Sequence, residues 1–400
     1  MFETLFRLFS VFPKQNKIVA SCFSGKLYSD NAKPIAEAVH KQYPEADIVW
    51  MKHTGYQFSV GEGIRTVEWG GHFSNFRKIY EYATAKVWID THFIDYFFIK
   101  RKDQLFIETW HGGLGIKKIA KDAKDEAISS FDKLRIERLI KTADLMITNC
   151  DHLTSVYRNA FQYKGPVWKC GYPKNDILLQ SDGTVEKQKV KTALSIDEDS
   201  KILVYAPTFR TFSRENAYIQ EVCSIDWNNL RKALSKRFGG TWTLIIRYHP
   251  LMMRENFLSS SLEGIVDGTN YPSITELILA ADAFISDYSS CIFDAALRDI
   301  PCFIIAKDYE LYKEKQGIYY QLEDLPFPYA VSDQELIEKV LNYDCANWQA
   351  QWKLFKQRTG FVETGHATDD IAKVIVSYLK GNKKPLLQVI NGQDGRVNFP

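Results

Sequence analysis

Residues 283–298 read Ala283-Phe284-Ile285-Ser286-Asp287-Tyr288-Ser289-Ser290-Cys291-Ile292-Phe293-Asp294-Ala295-Ala296-Leu297-Arg298. The apolar run Ala283-Phe284-Ile285 ends in small polar residues, and a helical period then runs from Cys291 to Arg298. A strand that stops at hydroxyls and turns into a helix presents backbone N–H groups and the positive end of a helix dipole at one point, which suits a phosphate. Two other strands end in a related way. Tyr205-Ala206-Pro207-Thr208-Phe209-Arg210 closes with proline, hydroxyl and guanidinium, while Leu244-Ile245-Ile246-Arg247-Tyr248-His249-Pro250 puts Arg247 and His249 on one strand face. Thr208, Arg210, Arg247, Asp287, Ser289 and Ser290 are thus candidate ligands of a diphosphate, with Asp294 one turn further along the helix. The competing reading is plain helix capping by Asp287, Ser289 and Ser290.

Outward from this stretch, short apolar runs alternate with helix-length periods along the whole chain, the signature of βαβ units and parallel sheets. The first half predicts strands at Ile18 to Phe23, Asp47 to Met51, Lys86 to Ile89, Leu105 to Thr109, Leu145 to Thr148 and Val167 to Cys170. After the polar stretch Gln180 to Val185 the pattern restarts, with strands at Ile202 to Tyr205, Leu244 to Arg247, Gly264 to Val266, Ala283 to Ser286 and Cys302 to Ile305. The fold class expected is α/β: a Rossmann-like first domain over 1–182 and a second over 183–365. A helix over 366–380 crosses back onto the first domain, and a polar tail with little to bury fills 381–400. Two doubly wound domains facing across a cleft, with ligand-like loops at strand ends, are similar to the GT-B architecture of glycosyltransferases.

Composition narrows the function. A formal charge of +2 in 400 residues argues against a nucleic-acid partner. Seven cysteines, odd in number and without a Cys-x-x-Cys pair, read as reduced thiols of a cytoplasmic protein and give no zinc site. The tight acidic cluster Asp197-Glu198-Asp199 reads as a solvated turn, so no metal is expected. No apolar run is long enough to span a bilayer. Phe2, Leu5, Phe6, Leu8, Phe9 and Phe12, with Arg7, Lys14 and Lys17 nearby, form an amphipathic N-terminal helix with two readings. It lies in a membrane interface, or it docks on its own domain.

One further motif carries chemistry. In Thr109-Trp110-His111-Gly112-Gly113-Leu114-Gly115-Ile116-Lys117-Lys118 a histidine at a strand end is followed by three glycines and two lysines. Such a histidine is a candidate general base, because its ordinary pKa lies near neutrality and a neighbour can orient one ring nitrogen. Gly112 and Gly113 allow close backbone approach to a ligand. His249 is a second candidate, able to meet charge developing on a phosphate. A structural glycine-rich turn is the alternative for the first motif, and a partly buried, backbone-bonded histidine for the second.

These motifs together resemble one family. Trp110-His111-Gly112 with Lys117-Lys118, Gly171-Tyr172-Pro173-Lys174-Asn175-Asp176, Tyr205 to Arg210, Arg247-x-His249-Pro250 and Asp287-Tyr-Ser-Ser-x-x-Phe293-Asp294-x-Ala296 recur in this order in the CDP-glycerol glycerophosphotransferases, and Phe23-Ser-Gly25-Lys-x-Tyr28-Ser-Asp30-Asn31 extends the likeness upstream. The resemblance implies a metal-independent transferase that uses CDP-glycerol or CDP-ribitol and acts on a lipid-linked or polymeric glycan acceptor. It implies a peripheral place at the inner membrane face and leaves oligomeric state open. It also implies His111 as catalytic base, His249 at the donor diphosphate, Thr208, Arg210, Ser289 and Ser290 as phosphate ligands, and Lys117 and Lys118 toward an anionic acceptor. Departures occur at Gly-Leu-Gly-Ile after the His111 turn, at Gln316, and at Thr364-Gly365-His366-Ala367. They bear on the alditol and the acceptor, not on the fold.

The expected reaction is attack of an acceptor hydroxyl on the β-phosphorus with release of CMP, in teichoic acid or capsule-like polymer synthesis. Two alternatives stand beside it: a GT-B glycosyltransferase using a nucleotide sugar, and a non-catalytic scaffold that binds nucleotide or polymer.

Overall fold

All thirteen strands of the computed structural model, which describes residues 2–71, 74–124, 129–208, 210, 212, 218, 221–248 and 263–392, run parallel to their neighbours in two sheets. The first holds β1 (Gln15–Ser21), β2 (Asp47–His53), β3 (Ile64–Trp69), β4 (Ala85–Asp90), β5 (Leu105–Glu108), β6 (Leu145–Thr148) and β7 (Val167–Lys169), in the order β3-β2-β1-β4-β5-β6-β7. The second holds β8 (Lys201–Ala206), β9 (Trp242–Ile246), β10 (Ile265–Asp267), β11 (Ala283–Ser286), β12 (Cys302–Ile305) and β13 (Tyr329–Ala330), in the order β10-β9-β8-β11-β12-β13. The central strands are buried along nearly their whole length because helices cover both faces, which is why they read as continuous apolar runs. β3 escapes a sequence reading because it is an edge strand that mixes buried Ile64 and Val67 with the polar Arg65, Thr66 and Glu68, and β13 because it has two residues.

Each sheet reverses its winding once, between β1 and β4 in the first and between β8 and β11 in the second. Loops leaving adjacent strands diverge there and open a crevice beyond the strand C-termini, where ligands bind in doubly wound folds. The fold is the expected α/β class, GT-B-like in having two such units.

The chain divides less simply than by halves. One unit comprises Met1–His111, Ser129–Asp176 and Val362–Pro400, and the other Gly112–Ile128 and Ile177–Phe361. A contiguous division at 182 therefore misses three exchanges, the first being Gly112–Ile128, which goes with the second unit. Residues 177–182 go with the second unit because the Arg298 guanidinium holds the carbonyls of Leu178, Ser181 and Asp182 at 2.8, 2.6 and 2.9 Å. In the other direction, Val362 N donates to Asn149 O at 2.7 Å, and Asp176 accepts from Ala367 N and Thr368 N at 3.1 and 2.7 Å, fastening the helix Ala367–Leu379 to the first unit. The tail requires a correction: Lys384–Asn391 is a helix that buries Leu386 and Val389, since its apolar residues fall on one helical face. Residues 393–400 lie outside the described set.

The N-terminal helix Phe2–Phe9 docks on the first unit through Phe6, which is fully buried with ring centroids 6.0 Å from Trp88 and 5.5 Å from Phe98. Burying such a ring contributes about 1.5–3 kcal/mol. Leu8 in the helix and Val11 and Phe12 in the turn after it nevertheless stay 58%, 76% and 47% exposed, so this segment also presents apolar side chains outward. No helix among the described residues is long and apolar enough to cross a membrane.

Candidate active site

In the first unit, four non-glycine residues at the C-terminal edge of the sheet have left-handed backbone: Phe23 (φ 45°), Ser24 (φ 56°), Asp30 (φ 60°) and Trp110 (φ 54°). Each costs about 1–3 kcal/mol, so the surrounding structure must impose it. Around the turn 109–111 the restraints are visible. Thr109 N and Oγ1 donate to Asp90 O at 2.8 and 3.1 Å, Trp110 N donates to Glu108 Oε1 at 2.8 Å, and Asn31 Nδ2 donates to Trp110 O at 3.0 Å. Lys174 Nζ reaches His111 O at 3.0 Å, while Lys174 N donates to Asn31 Oδ1 at 3.2 Å. Positive φ thus falls on Trp110, whereas Gly112, Gly113 and Gly115 do not use it.

His111 is half-buried, its ring 4.8 Å from Phe23 and 4.4 Å from Trp110 by centroids. Its Nδ1 lies 2.8 Å from Thr91 O. A carbonyl only accepts, so Nδ1 carries the proton and the basic lone pair of the neutral ring is on Nε2. Asn31 and Lys174 were legible as members of the quoted motifs, although not in these roles. Thr91, which acts through its carbonyl, and Glu108, inside a strand, left no sequence signal.

In the second unit, Thr208, Arg210 and Asp287 meet where β8 and β11 end. Asp287 Oδ1 accepts from Thr208 N at 2.8 Å, Thr208 Oγ1 at 2.5 Å and Tyr288 N at 2.6 Å. Arg210 NH1 donates to Asp287 Oδ2 at 2.7 Å and to Thr208 O at 2.6 Å. Its Nε and NH2 form a two-pronged pair with Asp308 at 2.8 and 2.9 Å. Tyr288 and Tyr312, stacked 3.7 Å apart, both lie against the guanidinium. Burial alone raises the Asp308 carboxyl, but hydrogen bonds and charge from Arg210, with the hydroxyls of Tyr218 and Tyr288, overcome it and hold Asp308 below the ordinary carboxylate range.

This geometry corrects the sequence reading of these residues. Arg210 and Asp287 are each 1% exposed and Thr208 4%, so they spend their polar groups on one another rather than presenting them outward. They form a clamp that sets the loops, and Asp287 is not the cap of the helix Cys291–Ala296, whose N-cap is Ser290. Arg247 is likewise internal, binding the carbonyls of Gly268, Thr269 and Tyr271, and burial brings its pKa down to about 10. Asp294 is 3% exposed. Ser289 and Ser290, half-buried at the start of the short helix, remain at the surface of the crevice, with Ser289 Oγ accepting from Cys291 N at 3.4 Å. His249 lies outside the described residues.

Lys117 and Lys118 also belong to this unit. Their segment is strapped to residues 316–320: Lys118 N donates to Gly317 O at 3.0 Å, Tyr319 N to Ile116 O at 2.7 Å, and Gln316 Nε2 to Lys118 O at 2.9 Å. The Lys117 ammonium is buried enough to lower its pKa, with Asp287 raising it and Arg210 lowering it further. Gln316, a departure in the sequence, therefore serves the strap. Among the described residues, no group of three or more His, Cys, Asp or Glu is placed to hold a metal ion.

Comparison with known proteins agrees with this picture. The family described as CDP-Glycerol:Poly(glycerophosphate) glycerophosphotransferase matches residues 4–377. The teichoic acid poly(glycerol phosphate) polymerase of Staphylococcus epidermidis is 30% identical over 92% of this chain and 51% of its own length. The chain thus spans about half the length of that relative and of the Bacillus subtilis polymerase, 50% of which it covers. The teichoic acid glycerol-phosphate transferase of Staphylococcus aureus is 29% identical over 93% of this chain and 96% of its own length. A structure of the wall teichoic acid polymerase TagF superposes with a TM-score of 0.79 at 26% identity, over 95% of this chain and 94% of that one. Another, soaked with CDPG, gives 0.77 at the same identity and coverage.

Proposed function

The chain belongs to the CDP-glycerol:poly(glycerophosphate) glycerophosphotransferase family, and on that premise we propose that it transfers glycerol phosphate from CDP-glycerol to a hydroxyl of a lipid-linked or polymeric glycan in teichoic acid synthesis. In this reading the acceptor oxygen attacks the β-phosphorus, the bond from that phosphorus to the bridging oxygen breaks, and CMP leaves. The acceptor proton passes to His111 Nε2. The observation that supports the assignment is the Nδ1–H bond from His111 to Thr91 O, which leaves the basic lone pair on Nε2. Ser289 and Ser290, with the N–H groups at the start of their helix, are proposed to meet the donor phosphates, and the Thr208–Arg210–Asp287–Asp308 clamp to hold those loops in place. His249 keeps its proposed place at the donor diphosphate by family resemblance alone.

The test is product analysis with CDP-glycerol and CDP-ribitol supplied in parallel to the wild type and to His111→Ala. CMP and a phosphodiester are expected from the wild type, with turnover down about 10²–10⁴-fold in the variant. Nucleoside diphosphate and a glycoside would instead identify a glycosyltransferase, and undiminished CMP release by the variant would remove His111 as base. EDTA is expected to leave the rate unchanged, since the proposal needs no metal.

A peripheral place on the cytoplasmic membrane face is also proposed. Leu8, Val11 and Phe12 are exposed at the N-terminus, and Phe131 and Leu134 are 51% and 49% exposed on the helix Ser130–Thr142. The two helices are joined by the 2.9 Å ion pair of Glu3 with Arg138. Apolar side chains among Arg7, Lys14, Lys133 and Lys141 suit an anionic lipid interface.

A further inference from the structure

Behind the His111 turn, the last residue of β5 is a fully buried carboxyl group, Glu108, with no role in the chemistry above. Its Oε1 accepts from Trp110 N at 2.8 Å, while Oε2 is buried with no hydrogen-bond partner among the described residues. Asp90, itself 3% exposed, is its register partner on β4. We propose that Glu108 is a positioning residue for His111: a buried carboxylic acid, present as the neutral form, whose Oε1 holds Trp110 in its left-handed conformation and so sets the direction in which the histidine leaves the turn.

Three observations support this. Trp110 at φ 54° needs an external restraint, and its N–H, two residues after Glu108, meets the carboxyl instead of a strand neighbour. A carboxylate in this place would be a buried anion beside a second acid, and with Oε2 unpartnered nothing satisfies its charge. The groups whose charge reaches it are Asp90 from β4, Arg135 from the helix Ser130–Thr142, and the phenols Tyr157 and Tyr163. Burial first, and then Asp90, push its pKa well up, against the smaller opposing effects of the Trp110 N–H and Arg135. An acid kept neutral can fix a turn without altering the charge felt by the neighbouring imidazole.

The inference rests on His111 being the base, so the experiment separates the two claims. Glu108→Gln keeps an acceptor for Trp110 N and imitates the neutral acid, whereas Glu108→Leu keeps the volume and removes the acceptor. Expected are kcat, and the pH dependence of kcat/KM, within about twofold of wild type for E108Q, and a kcat about 10–100-fold lower for E108L with the KM for CDP-glycerol little changed. Independently of turnover, the infrared difference between wild type and E108Q at neutral pH should show a protonated-carboxyl stretch lost in the variant. The NMR signature of the His111 Nδ1–H tautomer should persist in E108Q and weaken in E108L. Should H111A retain activity, the base assignment fails while the spectroscopic results still decide Glu108. Absence of the carboxyl band in wild type, or an E108Q enzyme as impaired as E108L, overturns the proposal. An E108L protein that does not fold leaves the E108Q kinetics and the infrared band to decide it.

Discussion

Replacing Arg210 by Met retains much of the side-chain stem and deletes the charge at the centre of the clamp in the second unit. Asp287 and Asp308 would then face each other inside the second unit without the cation that each meets at under 3 Å. Removing one partner of a buried ion pair costs about 3–5 kcal/mol, because the remaining charge is left uncompensated. With about 2–4 °C lost per kcal/mol in a unit of roughly this size, the transition of the second unit should fall by about 6–20 °C in scanning calorimetry. pH sharpens the test. In the wild type Asp308 is held below its unfolded value, so its contribution is full above that value and is lost as pH falls through the folded one. In R210M the cation is gone and burial raises Asp308, so that group destabilises at neutral pH and the deficit should shrink as the solution is acidified. Adding Asp287→Asn and Asp308→Asn to R210M should recover at least half of the lost stability, since a neutral cluster leaves no stranded charge. If R210M instead melts within about 2 °C of wild type while kcat collapses, the guanidinium spends its bonds on substrate and the clamp reading is wrong.

Two further outcomes can be stated briefly. Gly63 has φ +69°, and a Cβ there would fall 1.9 Å from the His40 ring, so Gly63→Ala should destabilise the first unit by about 2–4 kcal/mol, measured by urea unfolding. A variant carrying Ser at Leu8, Val11, Phe12, Phe131 and Leu134 should sediment markedly less with anionic lipid vesicles while its CMP release with a soluble acceptor and its melting temperature hold. Unchanged sedimentation would refute the membrane face.

What could be read before folding follows from which interactions are local. Ala283-Phe284-Ile285 and Leu145-Met146-Ile147 announce buried parallel strands because every residue is apolar, whereas β3 interrupts its Ile64 and Val67 with Arg65, Thr66 and Glu68 and so looks like a loop. The helix Lys384–Asn391 was hidden for a related reason: its buried Leu386 and Val389 are too few to stand out in a polar tail. Histidine at a strand end is likewise legible. Its tautomer is not, because that depends on the carbonyl of Thr91, twenty residues away.

The sequence by itself determined the α/β class, the restart of the pattern in a second unit, and the strand-end motifs, including His111 and the serine pair, since periodicity and turn chemistry are properties of neighbouring residues. Tertiary structure alone decided how those residues are employed. Arg210 and Asp287, read as ligands for a phosphate, become internal partners because folding brings Asp287 and Asp308 against Arg210 from 77 and 98 positions away. Lys117 and Lys118, adjacent in sequence to a histidine of the first unit, are strapped into the second by residues 316–320. A charge in a linear sequence shows what a side chain can bind, and only the fold supplies the opposite charge that it does bind.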